Sequence, residues 1–228
     1  MIGIIGAMQV EIDCIRQALE NPKSEVTGSI SFVSGVLEGR QVVTAVCGIG
    51  KVNAAMCAQT MILRFSPECI LNTGVAGSLS SSLSILDVAV GEKLVEHDMD
   101  TTPIGDPPGF INGINLVEIP ADKSVCDKVC QSAAALGIKT VRGVIASGDQ
   151  FIASAERKGK IVSTFGAIAC EMEGASIAHV CCANKVPFSV VRAISDCADG
   201  SSHMDYPEFL SKASASAAEL IKLFVKNY

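Results

Sequence analysis

Short apolar runs that end in small or acidic residues alternate along the chain with longer segments of helical periodicity. Residues 2–5 form one such run, and the next segment carries apolar side chains on one helical face, at Met8, Ile12, Ile15 and Leu19. Residues 187–194 are apolar on both faces, which is typical of a strand in the middle of a sheet. This alternation predicts an α/β fold.

The sheet is predicted to be mixed, with helices on both faces in three layers. Residues 30–37 and 41–46 flank Glu38-Gly39-Arg40 and indicate an antiparallel hairpin. Further strands are predicted at 68–72, 87–95 and 139–146. Helices are predicted at 51–63, 123–135 and 209–225, and two more are predicted in between, one that begins near residue 154 and one that ends at residue 183. Residues 101–113, rich in Gly and Pro, form a long loop of the kind that often has a function.

The composition excludes several classes of protein. The 228 residues, 49% of them hydrophobic, suffice for one domain spanning residues 1–228. No apolar stretch reaches the length of about 18 residues that a membrane span requires, and the N-terminus lacks the pattern of a signal peptide, so we expect a cytoplasmic protein. The net charge of −6 and the absence of long basic runs disfavour nucleic acid, which leaves a small molecule as the expected partner.

The cysteines and histidines do not predict a metal centre. The ten cysteines are scattered through apolar segments, where reduced cysteine behaves as a small hydrophobic residue. The pairs Cys126/Cys130 and Cys181/Cys182 lack companion histidines for tetrahedral zinc. We therefore expect structural thiols, no metal and no organic cofactor.

The residues that follow the predicted strands are small or acidic. In open α/β sheets, ligands bind beyond the carboxyl ends of the strands. Small residues there let the backbone approach a ligand, and carboxylates can supply acid and base groups, although the same residues are also common in ordinary turns. The predicted ends are Gly6-Ala7-Met8, Gly48-Ile49-Gly50, Thr73-Gly74-Val75-Ala76-Gly77, Ser147-Gly148-Asp149 and Ser195-Asp196.

Carboxylates near these ends are candidates for chemistry, and each has a structural alternative. Glu11, in the first turn of a helix, either complements the helix dipole or serves as a partly desolvated base. Asp196 follows the strand that carries Arg192, which needs a carboxylate partner if it is buried. Glu171 and Glu173 either begin a helix or accept hydrogen bonds from the vicinal hydroxyls of a ribose.

Six motifs occur in order along the chain: Gly3-Ile-Ile-Gly-Ala-Met8 with Glu11, Gly48-Ile-Gly-Lys-Val52, Asn72-Thr-Gly-Val-Ala-Gly77, Ser147-Gly-Asp149 with Phe151, Glu171-Met-Glu173 and Val191-Arg-Ala-Ile-Ser-Asp196. Together they resemble the bacterial methylthioadenosine/S-adenosylhomocysteine nucleosidases over nearly the whole chain. The resemblance implies a nucleoside-phosphorylase-like fold, a mixed twisted sheet flanked by helices, usually paired as a homodimer. It also implies hydrolysis of the N-glycosidic bond of 5′-methylthioadenosine and S-adenosylhomocysteine, with release of adenine.

The resemblance assigns roles residue by residue. Glu11 matches the base that activates water, and Asp196 matches the acid that protonates adenine N7. The matching contact residues are Met172 and Glu173 for ribose, Phe151 and Ile152 for adenine, and Arg192 and Ser195 as neighbours of the acid. Further candidates for substrate contact at the strand ends are Ile49, Val75, Ala76, Gly77 and Glu171.

Two segments depart from the family's usual form. Gln9-Val10 replaces an acidic cluster before Glu11, and the loop at residues 101–113 diverges. Because this loop helps to form the 5′-substituent pocket across the family's dimer interface, its candidates for that pocket are Ile104, Pro108 and Phe110.

Two other functions remain open on the residues. A purine nucleoside phosphorylase would need a cationic phosphate site, and only Lys51 and Arg192 lie near the predicted strand ends. A nucleoside-binding protein without activity would lack an acid or a base, whereas Glu11, Glu173 and Asp196 are all present. The sequence does not rank methylthioadenosine, S-adenosylhomocysteine, 5′-deoxyadenosine and 6-amino-6-deoxyfutalosine as substrates.

Overall fold

The structure is a computed structural model that describes residues 1–196 and 206–228, and the side chains of residues 196 and 206–208 lie outside that description. Within these ranges, one mixed sheet contains ten strands. They are β1 (Ile2–Gly6), β2 (Glu20–Thr27), β3 (Ile30–Leu37), β4 (Arg40–Val46), β5 (Cys69–Ser78), β6 (Val88–Glu96), β7 (Ile119–Pro120), β8 (Thr140–Ser147), β9 (Ala167–Glu171) and β10 (Phe188–Asp196).

Helices cover both faces of this sheet. In the described part of the chain they are α1 (Gln9–Gln17), α2 (Lys51–Phe65), α3 (Lys123–Ala135), α4 (Ala155–Phe165), α5 (Gly174–Asn184) and α6 (Tyr206–Asn227), with a 3-10 turn at Thr102–Ile104. The predicted α/β fold, with a mixed sheet flanked by helices, is confirmed. None of the helices within the described ranges is long and apolar enough to cross a membrane.

Alternating side chains of the strands build two cores, one on each face. On one side Ile5 and Ile70 pack in the cluster that contains Met61 of α2 and Ile177 of α5. On the other, Ile2 and Ile4 belong to a cluster that also includes Ile12 of α1, Val129 of α3 and Phe224 of α6. Successive residues of a strand point to opposite faces, so β1 contributes to both cores.

Five strands close into a ring, which the sequence did not predict. β10 lies parallel to β5 and antiparallel to β6. The ring continues from β6 to β8 and β9, both parallel steps, and β9 returns to β5 in antiparallel pairing. The remaining path runs from β5 through β1, β4 and β3 to the edge strand β2. β5 therefore belongs both to the ring and to the open part of the sheet.

The strands β2 and β5 differ from what the sequence analysis predicted. β2 was missed because its sequence, ENPKSEVT, is polar and contains a proline, and most of its side chains are exposed at the edge of the sheet. β5 continues to Ser78, so Thr73–Gly77 lies inside the strand rather than beyond its end. Glycines interrupt its apolar pattern, yet pairing with β9 and β10 keeps the backbone extended there.

Candidate active site

A cavity of about 320 Å³ lies where β1, β5, β9 and β10 end. The predicted base and the predicted ribose, adenine, acid-neighbour and strand-end contact residues all line it: Glu11, Ile49, Val75, Ala76, Gly77, Phe151, Ile152, Glu171, Met172, Glu173, Arg192 and Ser195. These residues come from segments far apart in sequence. The fold thus brings together the positions that the motifs singled out.

Asp196, the predicted acid, is the last residue of β10, where its backbone pairs with Gly77 of β5. Its side chain lies outside the described residues. Since Gly77 and Ser195 both line the cavity, the backbone of Asp196 is at the cavity's edge.

Four residues of the cavity wall were not predicted from the sequence, and three predicted residues lie outside the wall. Ala7, Met8, Gln150 and Cys170 also line the cavity. Ala7 and Met8 directly follow β1, so the strand-end rule contained the signal for them. Ile104, Pro108 and Phe110 do not line the cavity within the described chain, and Ile104 is 81% exposed.

Glu11 is a buried carboxylate at the start of α1. Its Oε2 accepts hydrogen bonds from the backbone N–H groups of Ala7 at 2.8 Å and Met8 at 2.9 Å. Burial raises the pKa of Glu11 above its usual value, and the positive charge of Arg192 and the backbone N–H groups oppose that rise. A desolvated carboxylate with an elevated pKa is suited to accept a proton at neutral pH.

Arg192 is fully buried in β10 and surrounded by acceptors. Its Nη2 donates to Asn72 Oδ1 at 2.6 Å and forms a short contact with Glu171 Oε2, while Glu173 Oε2 is 3.5 Å away. Asn72 is itself anchored, because its Nδ2 donates to the Ile5 carbonyl at 3.0 Å. The carboxylate partner that a buried arginine requires is thus Glu171.

The two glutamates of the Glu-Met-Glu motif differ in how many protein donors they meet. Glu171 accepts from the Ser147 hydroxyl and from the backbone N–H groups of Glu173 at 2.9 Å and Gly174 at 2.8 Å, besides Arg192. Glu173 accepts from the Gly50 N–H at 2.9 Å. Glu171 is therefore committed to the protein, whereas Glu173 retains capacity to accept from a ligand.

The pKa of Glu173 is shifted well above the usual value for a glutamate. Burial raises its pKa to about 7, the charge of Arg192 lowers it, and the neighbouring Glu171 carboxylate raises it again. The backbone N–H of Gly50 favours the ionised form. Glu173 is thus poised to gain or lose a proton near neutral pH.

Lys51, the second cation near the cavity, is neutralised by carboxylates. Its Nζ lies 2.7 Å from Asp98 Oδ1 and 3.0 Å from Glu96 Oε2. Lys51 is not part of the cavity wall, and Arg192 is paired with Glu171. Neither of these two cations is left uncompensated for a phosphate ion.

Comparison with known proteins agrees with this geometry. The family model of the Phosphorylase superfamily matches residues 1–226, and the chain belongs to that superfamily. A 5′-methylthioadenosine/S-adenosylhomocysteine nucleosidase of Staphylococcus aureus is 39% identical over 228 residues, which is 100% of both chains. The resemblance to this nucleosidase family is confirmed.

Two solved structures are similar over the whole chain. The Campylobacter jejuni 5′-methylthioadenosine/S-adenosylhomocysteine nucleosidase superimposes with a TM-score of 0.95 at 36% identity, covering 100% of this chain and 99% of that one. A Helicobacter pylori nucleosidase, in which one aspartate is replaced by asparagine, holds 5′-methylthioadenosine in its active site. It has a TM-score of 0.93 at 39% identity and covers 100% and 98% of the two chains.

We expect Gly74→Ala to disrupt the charged centre of the cavity. A Cβ at this position would clash with Arg192 Nη1 and lie 2.8 Å from Glu11 Oε1. Displacing a buried guanidinium from its partners should lower the free energy of unfolding by about 3 kcal/mol or more, measured by urea denaturation. The matched control is Gly159→Ala on α4, where a Cβ meets open space and helix propensity should raise stability by up to about 1 kcal/mol. Equal stability of the two variants would contradict this account.

Proposed function

We propose that the protein hydrolyses the N-glycosidic bond of 5′-methylthioadenosine and S-adenosylhomocysteine, giving adenine plus 5-methylthioribose or S-ribosylhomocysteine. The observation that carries the proposal is one cavity in which a desolvated Glu11, a Glu173 with capacity for ligand hydroxyls and the end of β10 at Asp196 come together. The full-length similarity to nucleosidases supports the same reaction.

In the proposed mechanism, Glu11 takes a proton from a water molecule as that water attacks C1′ of the ribose. Asp196, protonated when substrate is bound, donates its proton to adenine N7, so that the leaving base departs neutral. Glu173 accepts hydrogen bonds from the ribose hydroxyls, and Met172, Phe151 and Ile152 contact the sugar and the base. Leaving-group protonation and stabilisation of a cationic sugar both lower the barrier.

Water is favoured over phosphate as the nucleophile by the charges around the cavity. Three carboxylates, Glu11, Glu171 and Glu173, line it together with one arginine that is already paired. Phosphate would have to enter beside these carboxylates at a Coulombic cost. Water carries no such cost, so the hydrolase is preferred to the phosphorylase.

The test is product analysis by mass spectrometry after incubation with 5′-methylthioadenosine, with and without phosphate. We expect adenine and free methylthioribose in phosphate-free buffer. Formation of methylthioribose 1-phosphate only when phosphate is added would instead identify a phosphorylase. Tight nucleoside binding without cleavage would identify a binding protein, and parallel assays with S-adenosylhomocysteine, 5′-deoxyadenosine and 6-amino-6-deoxyfutalosine would rank the substrates.

Asp196→Asn and Glu11→Gln should each nearly abolish turnover, because each removes one proton-transfer step. We expect kcat to fall by about 10²-fold or more, while both variants still bind 5′-methylthioadenosine. Glu25→Gln, an exposed partner of Arg64 outside the cavity, is the control and should keep wild-type kcat. Near-normal turnover in either of the first two variants would refute its assigned role.

The value of kcat/KM should fall as pH drops through about 7, because Glu173 then becomes neutral and accepts ribose hydroxyls less well. The pKa is raised from 4.5, so the ionised form prevails above about pH 7. In Glu173→Gln we expect a lower kcat/KM. Because glutamine does not titrate, residue 173 should no longer make kcat/KM depend on pH around pH 7. A wild-type profile that is flat between about pH 6 and about pH 8 would count against the assignment.

We further propose a homodimer in which a partner covers the open side of the cavity. An apolar stripe starts at Ile49 and continues along α2 at helical spacing through Val52, Met56 and Leu63, each at least 50% exposed. Exposed apolar surface of this kind marks contact sites between proteins. Met56→Glu should give a monomer in sedimentation analysis, with a raised KM, whereas Val26→Glu on the edge strand β2 should leave assembly unchanged.

We also propose that residues 1–228 act as one nucleoside-phosphorylase-like domain located in the cytoplasm. The family match over residues 1–226 and the single sheet, whose strands come from residues 2–196, support the domain assignment.

A further inference from the structure

Three residues outside the cavity wall form a closed ring of hydrogen bonds beside it. The Lys51 backbone N–H donates to Asp149 Oδ1 at 2.7 Å, and the Asp149 backbone N–H donates to Asp98 Oδ2 at 2.8 Å. Lys51 Nζ donates to Asp98 Oδ1 at 2.7 Å and so closes the ring. We call Lys51, Asp98 and Asp149 the loop clamp.

The loop clamp joins two segments that end in the cavity. One is the turn at residues 48–50 before α2, in which Ile49 lines the cavity and the Gly50 N–H donates to Glu173 Oε1. The other is the segment after β8, where residues 150–152 form part of the wall. The hydrogen bonds of the loop clamp therefore link these two segments of the cavity wall to each other.

Asp149 is also in direct contact with the turn that presents the Gly50 N–H. Gly50 has a φ of 98°, and a Cβ there would lie only 2.9 Å from Asp149 Oδ1. The carboxylate thus packs against the backbone of Gly50 while it accepts the next N–H along the chain. Such a contact restricts the orientation of the Gly50 peptide.

We propose that Asp149 is a positioning residue that orients the Gly50 N–H toward Glu173 and holds the Phe151–Ile152 wall against Ile49. This inference rests on the proposed function, in which Glu173 binds the ribose and the wall contacts adenine. Asp149 is absent from the lining of the cavity, so it acts through its neighbours rather than on substrate.

The charges around Glu173 determine how its protonation responds. Arg192 of β10 favours its ionised form, while Glu171 of β9 and Glu11 of α1 disfavour it. Cys47, after β4, also lies near enough for an electrostatic interaction. The Gly50 N–H adds a bond that favours ionisation, so weakening that bond raises the pKa of Glu173 further above its value near 7.

The test compares Asp149→Ala with Asp149→Asn, whose side-chain oxygen can still accept from Lys51 N–H. For Asp149→Ala we expect kcat/KM for 5′-methylthioadenosine to fall about tenfold at pH 7, mainly through KM. The acid limb of its pH profile should move up by about half a pH unit or more, with partial recovery at higher pH. Asp149→Asn should restore kcat/KM to within about threefold of wild type.

Asp122→Ala is the matched control, because Asp122 accepts from the Val125 N–H at the start of α3 at 3.0 Å, outside the cavity wall. It should lose stability in thermal denaturation yet keep the wild-type KM and pH profile. If Asp149→Ala does not fold, Asp149→Ser, with a shorter side chain, carries the same expectation.

An unchanged KM and acid limb in Asp149→Ala, or a loss that is equal at every pH and is not restored by asparagine, would overturn the inference. These outcomes require an active wild-type enzyme. Failure of the wild-type protein to release adenine from any of the nucleosides would instead refute the proposed function.

Discussion

The cavity depends on the hydrogen bonds and the ion pair that the buried guanidinium of Arg192 forms. A charge with almost no exposure is tolerated only where carboxylates and amide oxygens replace water around it. Asn72 and Glu171 do so directly, and each is held by further hydrogen bonds to the protein. The position of β10 against β5 is therefore coupled to the arrangement of the Glu-Met-Glu segment.

The same guanidinium places two glutamates that look alike in sequence in different environments. Glu171 gives its oxygens to Arg192, Ser147 and the start of α5, which leaves its neighbour at the cavity with fewer protein donors. Glu173 then experiences both the cation and a nearby carboxylate, as well as desolvation. A group exposed to these opposing influences has a pKa of about 7.

Much of the fold and site could be predicted from the sequence because local periodicity and strand-end residues carry the information. The helix at Lys123–Ala135 and the hairpin around Gly39 follow from spacing alone. The edge strand β2 could not be predicted, because its polar side chains reflect exposure on both faces. The closure of five strands was equally hidden, since it depends on pairings between distant segments such as β5 with β10.

The sequence also left open which carboxylate would accompany Arg192, because partners 21 residues apart in the chain meet only through the ring. The length of β5 is the physical reason that they meet. Its first half pairs with β1, which leads into Glu11, and its last residues pair with β9, which ends at Glu171. Between these halves lies Gly74, where the absence of a side chain leaves room for Arg192 and Glu11 to approach. A side chain at this crossing would separate the proposed base, Glu11, from the Arg192 cation, whose charge opposes the rise in the pKa of Glu11. The glycine that weakens the strand pattern is therefore what lets the charged centre form.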